Sequence, residues 1–329
     1  MSLGLLIAAS VAFAVVPPFL YAFLIWWCDW YERESPGLVI AAFLWGAFGA
    51  AGIGAVCEFL LDIPVQWLFQ PSAADFLVIT FAAPVIEEMA KGAILLLLLY
   101  STEFDNLTDG IVYGAIIGLG FSLTENIAYF IDTYLRGGAL AWLGNILFRS
   151  AFCCALHATA TAVAGAAIGA AKFSRRRSRW FLIPAGFLLA ILVHMGWNGF
   201  LSLADVFDSP FLSFVSLAAL PMVGIALGLL FWWSLRRERA VIRAELAAEV
   251  QSGWLPERHI ALLINLSDRH IAETPPPPAD RPQYLRTLTE LAFRRMQARL
   301  VPAEERAAYE RMVAALRERA MALLGVHSA

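Results

Sequence analysis

Two adjacent carboxylates and a lysine lie in the middle of a long apolar stretch. Glu87, Glu88 and Lys91 interrupt the run from Phe76 to Tyr100, which is long enough to cross a bilayer, a distance of about 20 residues. A charge at the centre of a membrane helix costs roughly 2.5–3.5 kcal/mol. On a helix, the lysine lies one turn from either glutamate and can pair with both. The trio is therefore either a self-neutralising ion pair that fixes helix packing or a centre for catalysis or ion handling.

Three later apolar stretches also contain polar side chains. Glu125 lies in the first, His157 in the second, and His194 and Asn198 share one helical face in the third. Counted from the ends of each stretch at about 1.5 Å per residue, the side chains of Glu87, Glu125, His157 and His194 fall at overlapping depths between the midplane and the outer interface. In hydrocarbon such groups should face inward and meet one another.

Carboxylates and imidazoles together can activate a water molecule, either by general-base catalysis or through a bound divalent metal. Zinc accepts histidine nitrogen and glutamate oxygen and keeps one position open in catalytic sites. Asn198 could orient His194 or donate to an oxyanion, and Lys91 could hold a glutamate ionised. The candidate catalytic residues are Glu87, Glu88, Lys91, Glu125, His157, His194 and Asn198, and the candidate zinc ligands are Glu88, Glu125, His157 and His194.

The composition is that of a polytopic membrane protein. The chain is 60% hydrophobic and only 16% charged, whereas a soluble domain is nearer half apolar and a quarter charged. Basic residues in the loop 172–179 and directly after Leu235 should lie in the cytoplasm, which puts the N-terminus outside. Hydropathy predicts an all-α fold with about seven transmembrane helices, at roughly 2–27, 37–61, 74–100, 109–131, 143–171, 180–203 and 211–235.

The composition changes after the last predicted span. Residues 236–329 are rich in Ala, Arg, Glu and Leu in amphipathic patterns, and Pro275 to Pro278 predict a stiff linker between them. We therefore expect a membrane core over 1–235 and a small soluble helical domain in the cytoplasm over 236–329. This domain could bind a partner or mediate self-association, or it could be a solvated tail.

Arg149 and Cys153 lie beside the candidate residues of the fifth span. Arg149 opens this span near the outer interface, where it could hold Glu125 or extend to lipid headgroups; we expect the headgroups. Cys153 shares a helical face with His157, which would permit a soft metal ligand, but we expect it to pack as a small apolar side chain.

Several motifs on separate predicted spans occur in the order found in a known family. They are Glu87-Glu88-x-x-Lys91, Phe121-x-x-x-Glu125 followed by Asn126, His157, and His194-x-x-x-Asn198. Over about residues 15–235 this series resembles the PrsW family of intramembrane proteases, which is related to the CAAX prenyl protease and bacteriocin-processing group. Asn198 departs from the Asp often found in PrsW proteins, and Glu125 stands where the CAAX branch has His.

The resemblance implies hydrolysis of a peptide bond in a membrane-anchored protein, such as an anti-sigma factor, near the outer half of a bacterial plasma membrane. It implies Glu87 or Glu88 as general base, with His157 and His194 binding a metal such as Zn²⁺ or the developing oxyanion. The expected partners are the protein substrate and the lipid bilayer, and we expect no nucleic acid.

Two other functions would use parts of the same pattern. A proton- or cation-coupled transporter also needs buried Glu, His and Lys, but the sequence contains no inverted repeat. A non-catalytic scaffold that binds peptides would account for residues 236–329 but leaves the buried charges unexplained.

Overall fold

The computed structural model describes residues 2–101, 103–172, 179–265 and 280–325. These residues form α-helices joined by short turns, and no strand occurs among them, which confirms the all-α prediction. The predicted linker at Pro275 to Pro278 and the basic loop at 173–178 lie outside the described residues. The helices are α1 (Leu3–Trp27), α2 (Pro36–Leu44), α3 (Ala51–Leu68), α4 (Pro71–Leu77), α5 (Ala83–Leu98), α6 (Leu107–Phe148), α7 (Cys154–Lys172), α8 (Arg179–Val206), α9 (Pro210–Gln251), α10 (Glu257–Ile264), α11 (Arg281–Leu300) and α12 (Ala303–Leu324).

π-Helical turns connect three pairs of consecutive helices without a break in the chain's path. They cover Trp45–Ala50 between α2 and α3, Val78–Ala82 between α4 and α5, and Arg149–Cys153 between α6 and α7. Such turns often occur at functional sites because they change which side chains face a neighbouring helix.

Five helical stretches among the described residues are long and apolar enough to cross a membrane. They are Leu3–Trp27, Pro36–Leu68, Leu107–Lys172, Phe181–Val206 and Pro210–Gln251. The predicted span at 74–100 is not one of them; it comprises most of α4, the π-helical turn and α5, and it carries Glu87, Glu88 and Lys91. The chain is thus an integral membrane protein, and the count of seven spans stays a prediction.

The 66-residue stretch Leu107–Lys172 folds back on itself at Gly138. The side-chain amide of Asn145 donates to the carbonyl oxygen of Tyr129 at 3.2 Å and to the hydroxyl of Thr133 at 2.7 Å. Residues 16 positions apart on a straight helix would lie about 24 Å apart, so the chain must reverse between them. Gly138 has φ 72° and ψ −167°, a conformation that glycine adopts without the steric cost of a Cβ.

Glycines bring α6 and α7 into backbone contact. A Cβ added to Gly110, Gly114 or Gly118 on α6 would collide with a carbonyl oxygen of α7, which for Gly118 is that of His157. Small residues at every fourth position permit this close approach of membrane helices. The glycine contact therefore sets the separation of the two helices that carry Glu125 and His157.

The described chain divides into two compact units. The first contains the described residues of 1–28, 34–172 and 178–231, and the second those of 29–33 and 232–329. α9 continues without interruption past residue 235, where the composition changes. The second unit has its own core, in which Tyr284, Leu288 and Leu291 are fully buried.

Candidate active site

Four helices of the first unit carry the candidate residues to one place, where all but Glu125 and Asn198 are buried. α5 contributes Glu87, Glu88 and Lys91, α6 contributes Glu125, α7 contributes His157, and α8 contributes His194 and Asn198. Lys91 and Glu88 have exposed fractions of 0% and 1%, and both histidines of 2%. The structure therefore brings together side chains that are up to 111 positions apart in the sequence.

Lys91 is the centre of the hydrogen-bond network. Its Nζ lies 3.1 Å from Glu87 Oε2, 2.8 Å from Glu88 Oε1 and 3.1 Å from His157 Nδ1. An ammonium has three donors and no acceptor, so these contacts use all of them. His157 Nδ1 must then accept, which leaves the ring proton on Nε2. Nζ also lies 3.8 Å from the ring centroid of Phe121, a favourable cation–π distance.

His157 and Arg149 hold Glu125 from two sides. His157 Nε2 lies 2.7 Å from Glu125 Oε2, and Arg149 Nη2 lies 2.7 Å from the same oxygen. Arg149 also donates through Nε to Asn126 Oδ1 at 2.7 Å and stacks over the Tyr129 ring. The expectation that Arg149 extends to lipid headgroups was wrong: the hairpin at Gly138 places it beside the partly buried carboxylate of Glu125.

Glu88 orients His194. His194 Nδ1 lies 2.9 Å from Glu88 Oε1, and the hydroxyl of Thr161 donates to Glu88 Oε2 at 3.0 Å. A carboxylate that accepts from Nδ1–H leaves the Nε2 lone pair of the imidazole free. That nitrogen lies 3.9 Å from Glu87 Oε2. Glu88 is thus engaged by three neighbours, whereas Glu87 faces the free nitrogen of His194.

A cavity of about 500 Å³ opens onto this cluster. Glu87, Glu125, His157 and His194 line it, together with apolar side chains; Glu88 and Lys91 are not among its lining residues. Asn198 lines the same cavity, but its amide donates to the carbonyl oxygen of Ile79 at 3.0 Å rather than to His194. Ile79 lies in the π-helical turn before α5, so this bond ties α8 to the wall of the cavity.

The donor atoms fit a divalent metal such as zinc. One oxygen of Glu87 and one nitrogen each of His157 and His194 lie within 4.8 Å of one another. Histidine nitrogen and glutamate oxygen are common zinc donors, and a carboxylate behind a ligating histidine, as Glu88 is behind His194, commonly fixes the histidine tautomer. Glu125 Oε2 beside His157 Nε2 is a further oxygen donor. The sequence predicted Glu88 as a ligand, whereas the structure groups Glu87 with the histidines.

Two further residues of the site were absent from the sequence prediction. Thr161 follows His157 by four positions on α7, and this i,i+4 spacing on one helical face is a signal that could have identified it. Glu58 on α3 lines the cavity and interrupts an apolar span, which is the signal that identified Glu87 and Glu125.

Comparison with known proteins identifies the family of the chain. Residues 34–241 match the family described as PrsW family intramembrane metalloprotease. The chain is 29% identical over 173 residues to Protease PrsW of Geobacillus kaustophilus, which covers 50% of this chain and 68% of that relative. It is 30% identical over 172 residues to Protease PrsW of Oceanobacillus iheyensis, covering 50% and 70%, and 28% identical over 220 residues to that of Shouchella clausii, covering 64% and 87%. No solved structure matches the chain.

The family match extends over most of the first unit and includes every candidate residue of this site. It confirms the resemblance drawn from the motifs and the expectation of an enzyme that cleaves proteins in the membrane. The chain belongs to the PrsW family of intramembrane metalloproteases.

Proposed function

We propose that Glu87, Glu125, His157 and His194 form the hydrolytic centre that cleaves a membrane-anchored protein. The observation that carries this proposal is the convergence of three buried donors, from α5, α7 and α8, within 4.8 Å of one another on a cavity of about 500 Å³. Burying so many ionisable groups in a membrane protein is costly, and such groups usually mark a functional site.

Each residue of the chain has a separate task in this proposal. Glu87 is the general base: it faces the cavity and lies close enough to both histidines to reach a water molecule between them. It takes a proton from that water as the water attacks the carbonyl carbon, and it delivers the proton to the leaving nitrogen when the C–N bond breaks. The 3.1 Å contact with Lys91 favours the carboxylate form of Glu87 that this role requires.

His157, His194 and Glu125 would hold the metal ion, and His157 would ligate it through a ring nitrogen that gives up its present contact with Lys91 or Glu125. When bound, zinc would polarise the substrate carbonyl and make the water more acidic. Glu88 acts as a positioning residue, because its hydrogen bond fixes the Nδ1 side of His194 and directs Nε2 toward the cavity. Asn198 supports the site by holding the backbone at Ile79.

We further propose seven membrane crossings. The reversal at Gly138 divides Leu107–Lys172 into two crossings. A further crossing is supplied by α4 and α5 with their π-helical turn, whose apolar pattern is interrupted by three buried charges. The basic residues before α8 and in the second half of α9 favour a cytoplasmic C-terminal domain over 236–329, and the predicted depth favours a site in the outer half of the plasma membrane.

The substrate that fits this placement is a membrane-anchored protein cut on its extracytoplasmic side, such as an anti-sigma factor. We also infer a distant relation to the CAAX prenyl proteases from the shared Glu-Glu and His-x-x-x-Asn series. The second unit, with its own core, would serve a partner or a second copy of the chain.

The test is cleavage in liposomes that contain the purified full-length protein and single-pass membrane proteins, with the products sequenced by mass spectrometry. Loss of a general base costs about 10²–10⁴-fold in rate, so Glu87→Gln should fall by at least 100-fold, and His194→Ala likewise. Asp132→Asn is the matched control, since this carboxylate is exposed and pairs only with Arg136 among the described residues. Wild-type rates in folded Glu87→Gln would refute the assignment.

A further inference from the structure

Glu58 is a third carboxylate on the wall of the active-site cavity. It lies on α3 and lines the cavity with Glu87 and Glu125, but it belongs to none of the motifs that carry the hydrolytic residues. Its side chain is partly accessible, and the nearest positions along its helix that also line the cavity are alanines, Ala51 and Ala55.

The carboxylate of Glu58 faces Glu87 across Gly54. A Cβ on Gly54 would lie 3.6 Å from Glu58 Oε1, 3.7 Å from the Phe121 ring and 3.8 Å from Glu87 Cγ. These are ordinary contact distances, so Gly54 occupies the gap between the two glutamates. Glu58 therefore sits beside Glu87, the proposed general base, on the wall of the same cavity.

Among the described residues, the two cations near the cavity are each engaged by another group. Lys91 donates to Glu87, Glu88 and His157, and Arg149 holds Glu125 and Asn126. Glu58 makes no hydrogen bond or ion pair with any residue in the described parts of the chain. A partly buried carboxylate beside the carboxylate of Glu87 is unfavourable, and a cation brought by a ligand offsets that cost.

We propose that Glu58 determines specificity by binding a basic side chain of the substrate next to the scissile bond. The inference rests on the proposed function, because it places the substrate in this cavity. Lys and Arg suit the site since their methylene stems can pack along apolar side chains while the charged end reaches the carboxylate. The basic residue of the substrate then forms an ion pair with Glu58, which has no cationic partner among the described residues of the chain.

The experiment uses the full-length protein in liposomes and a set of single-pass test proteins that are identical except for one residue. After the cleaved bond is mapped, each of the three positions on either side of it carries Arg, Gln or Glu in turn. At one of these positions the wild type should prefer Arg over Glu by at least tenfold in kcat/KM, mainly through KM. Glu58→Gln should abolish that preference, and Glu58→Arg should reverse it in favour of Glu.

Two further variants make the result specific. Asp62→Asn removes a partly exposed carboxylate one turn along α3, which accepts from Gln66 at 2.7 Å and does not line the cavity, and it should leave the preference unchanged. Glu58→Asp keeps the charge and should keep the preference, so the inference stays testable if Glu58→Gln or Glu58→Arg disturbs folding.

Four outcomes would overturn the inference. They are no charge preference in the wild type, an unchanged preference in Glu58→Gln, loss of the preference in Glu58→Asp, or an equal fall in kcat for all substrates in Glu58→Gln. If the wild type cleaves none of the test proteins, the proposed function fails and the inference fails with it.

Discussion

Gly118 is the residue at which helix packing controls the catalytic geometry most directly. Its Cα lies against the backbone of α7 at His157, the residue that contacts both Lys91 and Glu125. Gly118→Ala adds one methyl group at this contact and changes no charge or hydrogen-bonding group. We predict that this substitution nearly abolishes cleavage.

The magnitude follows from the distances. The added Cβ would lie more than about 1 Å inside the roughly 3.5 Å at which carbon and oxygen make favourable contact. Because its neighbour is backbone, one helix must move. His157 lies 2.7 Å from Glu125 and 3.1 Å from Lys91, so a movement of about 1 Å is enough to take either contact beyond hydrogen-bonding distance. A misplacement of this size costs about 100-fold in rate, and overpacking costs about 1–3 kcal/mol in stability.

The assay compares three alanine variants in the liposome cleavage reaction and in thermal unfolding. Gly110 lies about 12 Å from Gly118 along α6, and Gly110→Ala creates a similar clash with α7. We expect this variant to lose stability like Gly118→Ala but to lose less activity, because the clash is remote from His157. Gly144→Ala is the control, because a Cβ there meets no atom within 4 Å. If Gly118→Ala retained both wild-type stability and wild-type activity, the packing argument would be refuted.

Two other predictions concern a buried ion pair and a buried histidine. Arg149→Leu removes the cation that faces Glu125 and leaves the carboxylate with His157 as its remaining partner, so we expect a loss of about 3 kcal/mol in stability and at least tenfold in cleavage; equal stability to the wild type by thermal unfolding would contradict this. In the second unit, burial lowers the pKa of His259 to about 4 from its ordinary 6.5, so the unfolded unit binds a proton that the folded unit excludes, and stability is lost as the pH falls from about 6.5 toward 4. Hydrogen exchange of the α10 amides in the full-length protein, corrected for intrinsic rates, should show that the free energy of unfolding falls by about 1–2 kcal/mol between pH 7 and 5. This fall should disappear in His259→Gln. A pH dependence that persists in the variant would count against His259.

The chemistry of the site could be predicted from sequence because the membrane penalises buried charge. Glu87, Glu125, His157 and His194 stand out in apolar stretches, and their positions along each stretch indicated a common depth. The structure gathers all four at one cavity. Glu58 also interrupts an apolar stretch, but it belongs to none of the motifs, so the motif series does not single it out.

Details that depend on helix rotation and on chain reversal could not be predicted. Adjacent residues on a helix point about 100° apart, so the sequence does not distinguish the cavity-facing Glu87 from Glu88, which Thr161 and His194 engage. The partner of Arg149 depends on the turn at Gly138, a tertiary feature that hydropathy does not reveal. The π-helical turns likewise leave no clear periodic signal.

The metal content of the purified full-length protein tests the central claim most directly. Elemental analysis should find about one zinc ion per chain in the wild type and in Glu87→Gln, and a loss of zinc in His157→Ala and His194→Ala. This pattern would establish the two histidines as ligands and Glu87 as the base that acts beside them. Wild-type protein that cleaves its substrate without bound metal would contradict the account, and loss of zinc in Glu87→Gln would make Glu87 a ligand instead of the base.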